Sequence, residues 1–172
     1  MRNAGCLLLL GLLACDRDLG RSPPPGSTPE ERCASWVANG LAVEARTRAT
    51  LEQELGPPRQ TQTATGPNRH IPDGVDSLIT VHYPGIVFAL RKPPEGGDLL
   101  ETAVVSDDRW LRWTDPGIGS AADRVIEILG APAERSDSLY RYTCGTGIAE
   151  EPVSISIADQ RVAEIVFEFY VD

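Results

Sequence analysis

Val153-Ser154-Ile155-Ser156-Ile157-Ala158 is followed by Asp159-Gln160 and then by Arg161-Val162-Ala163-Glu164-Ile165-Val166-Phe167-Glu168-Phe169-Tyr170-Val171. A strand places successive side chains on opposite faces, so Val153, Ile155 and Ile157 lie together against Ser154, Ser156 and Ala158. In the second run Ala163, Ile165, Phe167, Phe169 and Val171 share a face, and Glu164 and Glu168 take the other. Two runs of period two around a short turn predict an antiparallel hairpin with one buried face.

Outward from that hairpin, residues 139–143 read as a further strand, and so do 77–83, 86–91 and 99–105. The last three are separated by Tyr83-Pro84-Gly85 and by Pro93-Pro94-Glu95-Gly96-Gly97, connections too short for crossovers, so these strands are antiparallel neighbours. Residues 59–76 are polar and read as a long loop. Thr28 with Pro29 and Glu31 forms a capping box opening a helix to about Ala38, stopped by Asn39-Gly40. Cys33, Trp36 and Val37 supply its apolar face. A second helix, about 43–55, carries Ala45, Leu51 and Leu55 and ends at Gly56-Pro57-Pro58. Ser120, with Asp123 three residues on, is placed to cap a third helix bearing Val125, Ile128 and Leu129, and Gly130-Ala131-Pro132 ends it. The order helix, then strands, thus occurs twice. The expected fold is α+β: two tandem helix-plus-antiparallel-meander units, about 29–106 and 107–172, with helices on one face of the sheet. A domain of this length buries roughly two thirds of its unfolded surface.

Near the N-terminus, Leu12-Leu13-Ala14-Cys15 resembles a bacterial lipobox. The apolar run 6–13 follows a single Arg2 and is far shorter than the roughly 20 residues a spanning helix needs, which is the pattern of a signal peptide. The resemblance implies that 1–14 are removed, that Cys15 takes a diacylglyceryl group, and that the domain is lipid-anchored in the bacterial cell envelope. No cofactor is expected beyond that covalent lipid. Residues 15–28, with Pro23, Pro24 and Pro25, read as an extended tether that reaches up to about 45 Å.

The chain carries a net charge of −9, and loss of Arg2 makes the mature form more acidic. No basic cluster compensates, which argues against nucleic acid as a partner. Cys6 leaves with the signal peptide and Cys15 carries lipid, so Cys33 and Cys144 remain in an oxidising compartment, either as a disulfide or as two separate buried thiols.

Several residues in the second half resemble a known family. Gly117-Ile118, the helix after Ser120, Leu129-Gly130-Ala131-Pro132, Tyr140-Arg141-Tyr142 and the Asp159-Gln160 turn are similar to the repeat shared by small lipoproteins of the outer-membrane barrel-assembly machinery and by secreted β-lactamase inhibitory proteins. The tandem order is similar to the inhibitors and the lipobox to the lipoproteins. The resemblance implies a non-catalytic protein-binding module whose partner is another envelope protein, in outer-membrane assembly or enzyme inhibition. A small envelope hydrolase is the alternative from a different class.

Other constellations are weaker. Gly117-Ile118-Gly119-Ser120-Ala121-Ala122 matches a dinucleotide fingerprint in letters, but Asp115-Pro116 precedes it and short hairpins follow, where a working fingerprint needs parallel strands on both sides. His70 and His82 do not make a metal site with the cysteines, since zinc takes about four such ligands. Cys144 before Gly145 reads as a disulfide partner rather than a nucleophile. Asp107-Asp108 and Glu150-Glu151 read as solvated loop carboxylates. The segment 68–74, with Arg69, His70, Ile71 and Asp73, offers charges of both signs and an apolar residue on a loop, the usual carrier of recognition. Trp110 and Trp113 either pack in the core or form an exposed aromatic anchor.

Overall fold

A computed structural model describes residues 27–68, 70–144 and 152–169. Cys15 and the segments 1–14 and 15–26, together with Arg69, Glu150-Glu151, Tyr170 and Val171, lie outside the described residues.

The chain runs α1 (Pro29–Asn39), α2 (Arg48–Leu55), β1 (Gln60–Pro67), β2 (Val75–Tyr83), β3 (Ile86–Lys92), β4 (Leu99–Val105), a 3-10 turn (Asp108–Trp110), α3 (Ala122–Leu129), β5 (Glu134–Arg135), β6 (Leu139–Tyr142), β7 (Val153–Ala158) and β8 (Arg161–Glu168). All eight strands join one antiparallel sheet in the order β1-β2-β3-β4-β8-β7-β6-β5.

This corrects the expected α+β arrangement of two tandem units. The fold is largely β, a single sheet dressed by three short helices among the described residues, and not two helix-plus-meander units. Two features account for the difference. β4 and β8 pair directly, Val104 opposite Val166 and Ala103 opposite Phe167, so the strands of both halves merge into one continuous ladder rather than two meanders. The polar stretch read as a loop forms β1, whose threonines suit a pleated edge although neither of its faces is buried. The second helix is also shorter than expected. Thr47 caps it, accepting from Thr50 N, and leaves Val43 and Ala45 buried in extended chain before it.

One core lies between the helices and the face of the sheet bearing Val81, Phe88, Ala103, Phe167, Ile155 and Tyr142. Trp36 of α1 stacks on Phe167 with ring centroids 5.6 Å apart. The helix ends are held from the same face: Tyr83 Oη donates to Gly56 O after α2, and Tyr142 Oη donates to Gly130 O after α3. Both glycines close their helices with nearly the same backbone, φ 80 and ψ −172 at Gly56, φ 81 and ψ −169 at Gly130. The first helix opens with the expected capping box, Glu31 N to Thr28 Oγ1 and Thr28 N to Glu31 Oε2. Ser120, however, does not cap α3. Ala121 holds that position, and Ser120 Oγ accepts from Gly117 N instead.

Cys33 and Cys144 form a disulfide with Cα atoms 5.5 Å apart, tying α1 to the chain just beyond β6. The β7–β8 hairpin turns through Asp159 and Gln160, both at positive φ, the backbone of the tight turns that match strand twist. Beyond the turn, the register shifts between Ser156 and Ile157, so that Ile157 faces Val162. Val162 therefore enters the core in place of the expected Ala163, which is exposed.

Candidate functional site

Among the described residues the helices pack on one side of the sheet, and the other side is half-buried and low in profile. Its composition follows from strand parity and register. Residues alternating with the core set form a transverse row, one per strand: Gln60, His82, Val87, Val104, Val166, Ser154, Arg141 and Glu134. A second row includes Thr80, Ala89, Thr102 and Glu168. Three adjacent valines from β3, β4 and β8 thus make an apolar strip at the centre, with alanine, threonine and serine around it.

Fixed charges border this strip. On the β6–β8 side Arg141 Nη2 lies 3.6 Å from Glu168 Oε2, and Ser154 Oγ donates to Glu168 Oε1 over 3.3 Å. On the β2–β4 side Arg91 bridges two carboxylates, with Nη1 2.9 Å from Asp76 Oδ2 and Nε 2.6 Å from Glu101 Oε1. Asp76 is fully buried. The hydrogen bond from Asn68, and secondarily the Arg91 guanidinium, holds its carboxyl below the usual aspartate value against the opposing effect of burial.

That ion pair continues into the hairpin loop. Asn68 Nδ2 donates to Asp76 Oδ1 at 2.6 Å, while Asn68 Oδ1 accepts from His70 N at 2.8 Å and Ile71 N at 2.6 Å. One side chain therefore shapes the loop and fastens it to the sheet. The loop closes through Asn68 N to Gly74 O and Gly74 N to Ile71 O, with Asp73 at φ 60. Ile71 on the loop is 45% exposed, and Val75, at the start of β2, is 56% exposed. His70, Ile71 and Asp73 are exposed on this loop.

Trp110 and Trp113 are placed differently. Both are partly buried against the core. Trp110 Nε1 donates to Pro84 O at 2.8 Å, the Arg109 guanidinium covers its ring, and Arg109 also donates to Pro84 O. Ala42 N to Trp110 O and Arg112 N to Gly40 O sew this segment to residues 40–42. Packing accounts for these rings.

The remaining candidates are structural. Gly117 abuts Asp108 and Thr114, where an added Cβ would come within 2.5 Å of Asp108 Oδ1, and Asp108 Oδ1 accepts from Ile118 N. The glycine motif is a turn pinned by a carboxylate, and burial raises the Asp108 pKa. Cys144 is bonded and presents no thiol. His82 lies on the uncovered face with a buried Nε2 that has no partner among the described residues. No group of three or more His, Cys, Asp or Glu suited to a metal occurs among the described residues.

Strand parity in the sequence assigns Ser154, Ser156, Glu164 and Glu168 to this face, but not the valine strip. Each valine sits singly in its own strand, and only the register across β3, β4 and β8 joins them. Comparison of the chain with protein-family models, with curated proteins and with solved structures finds no match.

Proposed function

We propose that the chain is an envelope lipoprotein, held at a membrane through lipid on Cys15, whose uncovered sheet face and 68–74 loop bind another envelope protein without chemistry of their own. The observation that carries this reading is the central strip Val87, Val104 and Val166 bordered by Arg141–Glu168 and by Asp76–Arg91–Glu101. An apolar centre inside a polar rim is the anatomy of a protein interface, and short side chains on a rigid sheet admit a partner's larger ones. The likeness of the second-half motifs to barrel-assembly lipoproteins and β-lactamase inhibitory proteins points the same way, toward outer-membrane assembly or enzyme inhibition.

Cross-linking in intact envelopes, followed by fractionation, tests both parts. Cys15→Ala is expected to release the protein from membranes or leave it unprocessed; normal processing with full membrane retention would remove the anchor. Val104→Arg and Asp73→Ala are expected to keep the fold and lose the cross-linked adduct. An adduct undiminished in both variants would place binding elsewhere.

A further inference from the structure

The two edges of the sheet are unlike. β5, at one end, is two residues long and both are charged, Glu134 and Arg135, the usual protection of an edge against further pairing. β1, at the other end, is eight residues long, and all of them are exposed except the half-buried Gly66. From Gln60 to Asn68 there is no charged residue, in a chain of net charge −9. Its register with β2 is unbroken by any bulge. Among the described residues nothing pairs with its outer side.

The register identifies the groups on that outer side. Asn68 N donates to Gly74 O, in step with the pairing of Gly66 to Asp76 and Gln60 to His82, so the even-numbered residues bond to β2. In an antiparallel ladder the intervening residues turn their backbone groups the other way. Thr61, Thr63 and Thr65 thus direct N–H and C=O outward. Pro67, which has no N–H to offer, has the same parity and sits where a strand tolerates proline, with the missing donor on the open side.

We propose that β1 is a self-pairing edge, joining two copies of this chain antiparallel about a two-fold axis at Thr63. In that register Thr63 faces its own copy and Thr61 faces Thr65, so the outward donors and acceptors match one for one and give about six backbone hydrogen bonds. The side chains agree with it. Threonines meet threonines on one face, Gln62 meets Ala64 and Gln60 meets Gly66 on the other, and no charge opposes a like charge. The choice of partner follows from charge: two copies of an acidic chain repel over most of their surface, and the neutral strip at β1 is where they approach most closely. A two-fold axis perpendicular to the sheet keeps both uncovered faces on one side, making a continuous sixteen-stranded surface. The pairing stands apart from the function proposed above and does not depend on it.

Sedimentation equilibrium over a concentration series, together with amide exchange, tests it on the soluble mature chain carrying Cys15→Ser. The expected result is a monomer–dimer equilibrium in which the amides of Thr61, Thr63 and Thr65 gain protection as concentration rises. Thr63→Lys or Thr63→Glu alone should weaken association at least about tenfold, because each places a charge opposite itself. An equimolar mixture of the two variants should associate again. Since Thr63 is exposed, both variants should melt as the parent does at concentrations low enough that all three are monomeric. A chain monomeric at millimolar concentration, a dimer indifferent to Thr63→Lys, or a mixture that fails to re-associate would each overturn the proposal, and protection of these amides only on adding a foreign extended peptide would give the edge a different partner.

Discussion

Phe167 is the side chain on which the helices and the sheet converge. It faces Ala103 and Val153 across its two neighbouring strands, stacks on Trp36, and has Gly40 so close that a Cβ there would come within 3.2 Å of its ring. Phe167→Ala removes the ring from a site whose neighbours belong to two strands, a helix and the turn at Gly40 and cannot all collapse inward. The expected loss is about 3 to 5 kcal/mol in urea unfolding, against less for Phe167→Leu. Asp76 makes the second prediction at this scale. Its folded pKa is depressed, by the Asn68 hydrogen bond first, so its contribution is full above the unfolded carboxylate value of about 4 and declines as pH falls through the folded value. Asn68→Ala removes the largest single lowering contribution and leaves the Arg91 guanidinium in place. The acid-side decline in stability should therefore become shallower in that variant than in the parent, measured as midpoint denaturant concentration from pH 6 downward.

Among elements, the C-termini of α2 and α3 show how a short helix is stopped and held. Gly56 and Gly130 occupy a backbone region essentially reserved for glycine, and each presents its carbonyl to a tyrosine rising from the sheet. Gly56→Ala and Gly130→Ala should each cost about 1 to 3 kcal/mol in thermal or urea unfolding. Gly130→Ala should be the more damaging, since its Cβ would meet Pro29 at 3.2 Å whereas open space surrounds Gly56. These caps were readable in advance because Gly-Pro-Pro and Gly-Ala-Pro state their conformation locally. β7 was readable for a related reason, its apolar period being set by one buried face. β1 was not: Gln-Thr-Gln-Thr-Ala-Thr carries no apolar period because neither face of that edge strand is covered. Missing it turned a largely β sheet into an expected α+β pair of units. The valine strip was equally hidden, since it exists only once β4 lies against β8, and no local signal in either strand specifies that pairing. The 68–74 loop was legible only as part of the longer polar stretch 59–76; its attachment to Asp76 through Asn68 was not, because that contact depends on which face of β2 Asp76 takes.

For the molecule as a whole, the Cys33–Cys144 disulfide and the β4–β8 pairing do the same work by different means. The disulfide spans 111 residues and joins α1, near the start of the described chain, to the segment just beyond β6. The strand pairing joins the two halves of the sheet at its centre. Trp36 lies three residues from Cys33 on α1 and stacks on Phe167 of β8, and with Trp110 and Trp113, both packed against the core, it makes tryptophan fluorescence a report on the shared core. Unreduced protein should therefore unfold in a single step, with tryptophan fluorescence and far-UV circular dichroism changing together. Reduction removes the covalent link but not the pairing. It should lower stability by about 2 to 4 kcal/mol while leaving one coincident transition, because the sheet still shares its core across β4 and β8. The measurement is paired urea melts with and without reductant, after alkylation has established that folded, unreduced protein has no free thiol at Cys33 or Cys144. Two resolved transitions after reduction would mean that the disulfide, and not the pairing of β4 with β8, makes the sheet one cooperative body.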